Sequence, residues 1–207
     1  MKKSLFITFE GSEGSGKSTQ IELALRYLRS RKKKVVFLRE PGGVKISESI
    51  RNILLDVKNK KMSDECEMLL YMAARGQLVK EKIMPALSEG KIVLCDRYLD
   101  STLAYQGYGN GVDLKIIKAV GDFVTHGLIP DLTFVLDLEA KKGLGRIKRA
   151  KDRIELRALS YHERVRQGYL AIAKKEPRRV KIVPVDRDPA MIHEDVKRYL
   201  DILLKER

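Results

Sequence analysis

Five short apolar runs punctuate the chain: Leu5-Phe6-Ile7-Thr8-Phe9, Val35-Val36-Phe37-Leu38, Ile92-Val93-Leu94-Cys95, Leu132-Thr133-Phe134-Val135-Leu136 and Val180-Lys181-Ile182-Val183-Pro184-Val185. Nearly continuous apolar runs of this length suit strands buried on both faces. Between them, apolar residues recur at helical spacing over 17–29, 50–55, 65–87, 114–124, 155–173 and 191–203. Strands alternating with helices predict an α/β fold in three layers, a five-stranded parallel sheet with helices on both faces. No internal repeat, low-complexity tract or linker interrupts the alternation, so a single domain is expected over 1–207.

Composition narrows the class. Hydrophobic residues make up 43% and charged residues 34% of 207 positions, enough apolar material for a core and too much for a disordered chain. No apolar run approaches the roughly 18 residues of a membrane span. Met1-Lys2-Lys3 has the charge of a signal-peptide start, but Glu10 breaks the apolar stretch that follows and no small-residue cleavage site appears. A soluble, unprocessed, cytoplasmic protein is expected. Cys66 and Cys95 agree with a reducing compartment, Cys95 being expected in the core, and His126, His162 and His193 are too scattered for a metal cluster.

The net charge of +14 calls for an anionic partner. Between Lys141 and Arg166 stand ten basic and three acidic residues. The run Arg29-Ser30-Arg31-Lys32-Lys33-Lys34 reads as the end of the first helix, where cations favour the helix dipole.

Gly11-Ser12-Glu13-Gly14-Ser15-Gly16-Lys17-Ser18 fits G-x-x-x-x-G-K-[ST], between a predicted strand and a predicted helix. Glycines let successive N–H groups turn inward around phosphate oxygens at a helix N-terminus. Lys17 brings a point charge to the β and γ phosphates, and the Ser18 hydroxyl can ligate Mg²⁺. This predicts the P-loop NTPase fold, with Gly11, Ser12, Glu13, Gly14, Ser15, Gly16, Lys17, Ser18 and Thr19 binding a nucleoside triphosphate. Asp96 ends the third strand, where open α/β sheets place ligands, and is assigned to the magnesium shell, with Ser18. Asp137, ending the fourth strand, competes for that role but lacks the adjacent arginine.

A P-loop alone does not identify the acceptor. Phe9-Glu10-Gly11 through Thr19, Arg39-Glu40-Pro41-Gly42-Gly43, Asp96-Arg97-Tyr98, Leu103-Ala104-Tyr105-Gln106-Gly107-Tyr108-Gly109, Pro130-Asp131-Leu132 and Asp152-Arg153-Ile154-Glu155 occur in that order. The ordered set resembles the bacterial thymidylate kinase family over essentially the whole chain. The resemblance implies transfer of the γ-phosphoryl of ATP to dTMP, giving dTDP for dTTP biosynthesis. An acceptor phosphate is already a nucleophile, so no general base is needed; the requirement is to hold two polyanions together.

By position, the resemblance places Arg97 between the acceptor phosphate and the group in transit. It puts Glu40, Pro41 and Arg51 at the monophosphate, although Glu40 reads equally as a turn cap. Tyr71 becomes a stacking plate for thymine and Arg75 a donor to its carbonyl. Without the resemblance, the apolar stretch around Tyr71 reads as core. Thr102, Tyr105 and Gln106 complete the base and sugar pocket, with Tyr105 crowding the 2′ position. Glu13 is implied at the 3′-hydroxyl, beside the magnesium shell.

The basic stretch within 141–154 matches the family's mobile lid. A P-loop without arginine fits the branch whose lid supplies the catalytic arginine. The lid looks short, so Arg146, Arg149 and Lys151 do not align securely; Arg149 is the first choice, Arg153 the second, beside Lys17 and Arg97. Arg157 and Ser47 depart from the family pattern. Relatives form homodimers, and apolar helix faces near Ile50 and Leu69 could supply the surface. The competing readings are another nucleoside or nucleoside-monophosphate kinase, or a nucleic-acid-binding ATPase suggested by charge. Aromatic residues at 6%, with no Trp and no nucleic-acid module, weigh against the latter.

Overall fold

In the computed structural model, which describes residues 4–205, the five apolar runs pair into one parallel sheet. The strands are β1 (Leu5–Glu10), β2 (Val35–Arg39), β3 (Ile92–Asp96), β4 (Leu132–Asp137) and β5 (Val180–Pro184), in the order β2-β3-β1-β4-β5. Each lies within one residue of its expected limits. Met1–Lys3, read above as an unprocessed start, lie outside the described residues. No described helix is long and apolar enough to cross a membrane.

Neighbouring residues of one strand enter opposite cores, as a pleat buried on both sides requires. Ile7, Leu94 and Phe134 pack with Ile21, Leu28, Val196 and Leu200. Those partners come from α1 (Lys17–Ser30) and α9 (Pro189–Lys205). On the other face, Phe6 and Val93 meet Leu78, Ile83 and Tyr98, while Val135 meets Val165 and Tyr169. These draw on α3 (Asp64–Leu78) and α8 (Leu159–Lys175). Cys95 is fully buried, and Lys32 turns left-handed just after α1, within the basic run expected to end it.

The helices depart from the periodicity in four places. First, α2 spans Lys45–Leu55 rather than starting near Ile50, because its first turn exposes Ile46 and buries Ser47, the reverse of an apolar inward stripe. Second, the stretch expected as one helix over 65–87 divides into α3, a wide π turn at Val79–Ile83, and α4 (Met84–Ser88). Pro85 lacks an N–H and its ring crowds the carbonyl four residues back, so the ladder widens ahead of it. Third, α8 begins at Leu159, not Glu155. The Asp152 carboxylate accepts the N–H groups of Ile154 and Glu155 and folds that segment as a turn. Fourth, α5 (Leu99–Thr102), running into a π turn at Leu103–Gly109, and α7 (Ala140–Gly145) carry no periodic signal. α6 (Leu114–Thr125) falls as expected.

Candidate active site

The register aligns the C-terminal ends of β2, β3 and β1: Arg39 and Phe9 both pair with Asp96. The loops leaving them, Gly11–Gly16, Glu40–Gly43 and Arg97–Tyr98, therefore open on one edge, as open α/β sheets arrange their ligand crevices. There a cleft of about 490 Å³ runs from Lys17 and Ser18 to Tyr71 and Gln106.

On the donor side, the loop backbone needs its glycines. Gly14 has φ +68°, and a Cβ there would lie 2.1 Å from the Gly143 carbonyl of α7. Gly11 has φ +131°, and a Cβ would lie 2.4 Å from the Leu136 carbonyl. Lys17 crosses the loop, donating to the Gly11 and Ser12 carbonyls at 3.0 and 3.2 Å. Burial, and then Arg97, lower its ammonium to about 8. Asp96 lines the cleft with its Oδ1 buried and lacking a hydrogen-bond partner among the described residues, whereas Asp137 is clamped by Arg166 at 2.7 and 2.9 Å. A hard cation takes such an oxygen readily, and Ser18 lines the same cleft, so the two residues fit a magnesium site.

A second cavity, of about 250 Å³, lies beyond the loop. Ser15, Gly16 and Thr19 border it, with Gln20, Arg146 and Arg187. Arg146 also reaches the Gly14 carbonyl at 3.3 Å. Gly11 and Ser12 lie behind both spaces, buried at the root of the loop.

Arg97 occupies the middle of the cleft. Its backbone is left-handed, φ 71°, a conformation that costs a non-glycine residue of order 1 kcal/mol. Two bonds hold it: Arg97 N–H to the Phe9 carbonyl at 3.0 Å, and Tyr98 N–H to Glu10 Oε1 at 2.7 Å. The guanidinium is set by four side chains. Nη2 donates to Glu13 Oε1 at 2.9 Å and Tyr105 Oη at 3.1 Å; Nη1 donates to Ser101 Oγ and Tyr169 Oη, each at 3.1 Å. Burial opposes its charge, but Tyr105, Tyr169 and Glu13 hold its pKa well above the usual arginine value. Glu13 turns inward, and its Oε2 accepts from Tyr105 at 2.6 Å. Burial would raise its carboxyl; Arg97 and Lys17 outweigh burial and lower it.

On the acceptor side, Glu40, Pro41, Arg51, Tyr71, Thr102, Tyr105 and Gln106 line the cleft. Tyr71 is a wall residue rather than core, while its neighbour Met72 is buried. Arg51 donates to the Pro41 carbonyl at 2.9 Å, and burial lowers its pKa. Glu40 does not cap a turn: it is buried against Arg75 Nε at 2.7 Å, and burial outweighs that arginine to raise its carboxyl.

Two expectations need correction. Arg75 does not face the cleft. It is 1% exposed, and its guanidinium is spent on Glu40, on Thr102 Oγ1 at 3.0 Å, on Met72 and on the Tyr98 carbonyl at 2.9 Å. Arg153 is not at the cleft either. It donates to the Leu54 carbonyl at 2.7 Å and pairs with buried Glu67 at 2.6 Å, so its charge is neutralised inside the fold. Arg149 does line the cleft, held by two bonds to Glu155 at 2.7 and 2.9 Å. The departures also find places. Ser47 donates to the Ala74 carbonyl at 2.7 Å, joining α2 to α3, and Arg157 donates to Glu67 at 2.7 Å.

Sequence reasoning did not single out Glu10, Ser101 or Tyr169, which back Arg97. Their signal was weak: a carboxylate at the end of an apolar strand, and two hydroxyls without a motif. The P-loop pattern and the Asp96-Arg97 pair were the strong signals.

The thymidylate kinase family model matches residues 9–196. Thymidylate kinase of Symbiobacterium thermophilum is 46% identical over 205 residues, covering 99% of this chain and 96% of that protein. Thymidylate kinase of Clostridium novyi is 42% identical over 204 residues, covering 97% and 100%. The crystal structure of thymidylate kinase from Ehrlichia chaffeensis superposes with a TM-score of 0.81 at 36% identity, covering 96% of this chain and 99% of that one. With a parallel sheet that carries its P-loop at the end of β1 and a match across nearly its whole length, the chain belongs to the thymidylate kinase family.

Proposed function

We propose that this protein transfers the γ-phosphoryl group of ATP to dTMP, giving dTDP. The observation that supports it most directly is Arg97, fixed from four sides in a cleft that joins the P-loop lysine to a pocket walled by Tyr71 and Gln106. A rigid guanidinium fork between two phosphate sites stabilises charge that spreads over a transferring group, and it needs no reorganisation when the reaction occurs.

In this reading Gly11–Thr19 cradle the triphosphate, with Lys17 on its β and γ oxygens. The smaller cavity bordered by Arg146 and Arg187 takes the donor base. Arg51, Glu40 and Pro41 receive the acceptor phosphate, Glu13 the sugar hydroxyl, and Tyr71, Thr102, Tyr105 and Gln106 the base and sugar. Ser18 and Asp96 would hold Mg²⁺, which when bound neutralises charge on the β and γ phosphates. Arg149, on the lid over the cleft, supplies further positive charge and helps exclude water.

We also place the protein in the cytoplasm, in keeping with its free cysteines, and read it as a homodimer. Apolar side chains stand exposed on three consecutively packed helices: Ile46 and Ile53 on α2, Leu69 on α3, Ile116 and Phe123 on α6. A second copy of the chain is the occupant that suits them.

The deciding experiment is a coupled assay with ATP and Mg²⁺ against dTMP, dUMP, dGMP, AMP and thymidine. The expected result is highest kcat/KM with dTMP and no product from thymidine. Preference for a purine monophosphate or for a nucleoside would overturn the reading.

A further inference from the structure

Gln106 sits in the π turn Leu103–Gly109 and lines the cleft. Its Nε2 donates to Oε1 of Glu67 at 2.9 Å. Glu67, on α3, is fully buried, and the other polar contacts to it are two hydrogen bonds, from Asn110 and Arg157, and an ion pair with Arg153. Asn110 Nδ2 reaches Oε1 at 3.1 Å; Arg157 Nη2 and Arg153 Nη2 reach Oε2 at 2.7 and 2.6 Å.

This arrangement decides the chemistry at the cleft wall. An amide side chain carries a donor on one side and an acceptor on the other, and on its own it can present either. A carboxylate lodged against two guanidiniums only accepts. It therefore claims the Gln106 NH₂ and turns the Gln106 carbonyl the other way. Arg157 is itself held by the Asn110 amide oxygen, so the cage around Glu67 is closed on that side. Among the described residues that line the cleft, Gln106 is the one with an amide side chain.

We propose that Glu67 is a positioning residue for base selection: it locks the Gln106 amide with its acceptor toward the pocket, so that pyrimidines bearing an N3–H are taken and cytosine, whose N3 is a lone pair, is refused. The inference rests on the reading of this pocket as a deoxynucleoside monophosphate site. A carbonyl facing a second lone pair leaves both unpaired in a buried site, the situation that produces strong discrimination.

The test uses the full chain and compares kcat/KM for dUMP and dCMP, which share a ring without the methyl group. The wild type should favour dUMP by about 10²-fold or more. In Glu67→Gln, the new amide can donate as well as accept, so Gln106 is free to turn over. The dUMP:dCMP ratio should fall at least about tenfold, mostly through KM, a change that a loss of stability alone would not produce. A folded Glu67→Gln protein with the wild-type ratio overturns the proposal. Should that variant not fold, a crystal structure of the wild type with dUMP decides. Gln106 must keep its contact with Glu67 while its other amide atom lies within hydrogen-bond distance of N3, and a Gln106 that has left Glu67 or faces elsewhere overturns the proposal. If the wild type phosphorylates neither dTMP nor dUMP, the functional reading fails and this inference falls with it. If dTMP is phosphorylated and the ratio does not move, only the inference fails.

Discussion

Glu10 shows how a single side chain can carry both stability and site geometry. Both its oxygens are occupied: Oε1 by the Tyr98 N–H, Oε2 by the hydroxyls of Ser101 at 2.6 Å and Tyr169 at 3.0 Å. Those two hydroxyls in turn receive Arg97. Burial first, and Asp100 second, push the Glu10 carboxyl up to about 7 from an ordinary 4.5, against the pull of Ser101, Arg97 and Tyr169. Between those two values the folded state binds more protons than the unfolded chain, so stability is full below 4.5 and declines as pH rises through 7. The shift corresponds to a change on the order of 3 kcal/mol. Glu10→Gln keeps the shape and removes the titration. Urea unfolding at pH 4.5 and 7.5 should therefore show the difference, wild type minus variant, falling by on the order of 3 kcal/mol across that interval. A difference that stays level would assign the titration to another group. Glu10 was invisible as a functional residue because nothing in its neighbourhood along the chain announces Ser101 or Tyr169. Arg75 and Arg153 were misplaced for the same reason: each meets its carboxylate from a distant element, and an arginine bound for a buried ion pair looks no different in sequence from one bound for phosphate.

At the scale of elements, the strands were legible to within a residue, because a run buried on both faces needs no information from its partners. The helices were legible only where one face is apolar. The helix expected over 65–87 runs through Pro85, and its period gave no sign that the ladder would widen ahead of that proline. The π turn carrying Tyr105 and Gln106 has no period of its own, so those residues came from the family pattern and not from periodicity. The basic stretch over 141–154 contrasts two arginines four residues apart. Arg149 has a side chain 65% exposed, held at the cleft by Glu155; Arg153 is buried on Glu67. Arg149→Ala should lower turnover by about 10²-fold with little change in KM, and because it also takes a guanidinium from Glu155, whose side chain is 5% exposed, its denaturation midpoint should fall as well. Arg153→Ala removes a guanidinium from a buried carboxylate and should cost about 3 kcal/mol of stability, seen as a drop in denaturation midpoint. Steady-state kinetics and urea melts on the two variants separate the roles. If Arg149→Ala turned over at the wild-type rate, Arg146, which touches the P-loop, would take its place.

For the whole molecule, the charge and the apolar surface pull in opposite directions. Phe123 is 81% exposed at one end of α6, and Ile116 lies seven residues before it, two turns back on the same face. Leu69 on the adjoining α3 and Ile46 and Ile53 on α2 add exposed apolar side chains on helices packed one against the next, the kind of surface that a second copy is proposed to cover. Each copy carries +14, so association works against long-range repulsion that salt screens within about 8 Å at physiological strength. The proposed dimer should accordingly tighten as ionic strength rises from low to physiological, the reverse of an interface built on ion pairs. Leu69→Asp with Phe123→Asp places two carboxylates of each copy among these apolar side chains, where a second copy packed on them would leave the charges unpaired and unsolvated. Sedimentation velocity should show a species of twice the monomer mass for the wild type and a folded monomer for the variant. Because Leu69 lies two positions from Tyr71 on one helix, the monomer should also show a higher KM for dTMP with less change for ATP. A wild type that sediments as a monomer at every salt concentration would mean that something other than a second copy covers α2, α3 and α6.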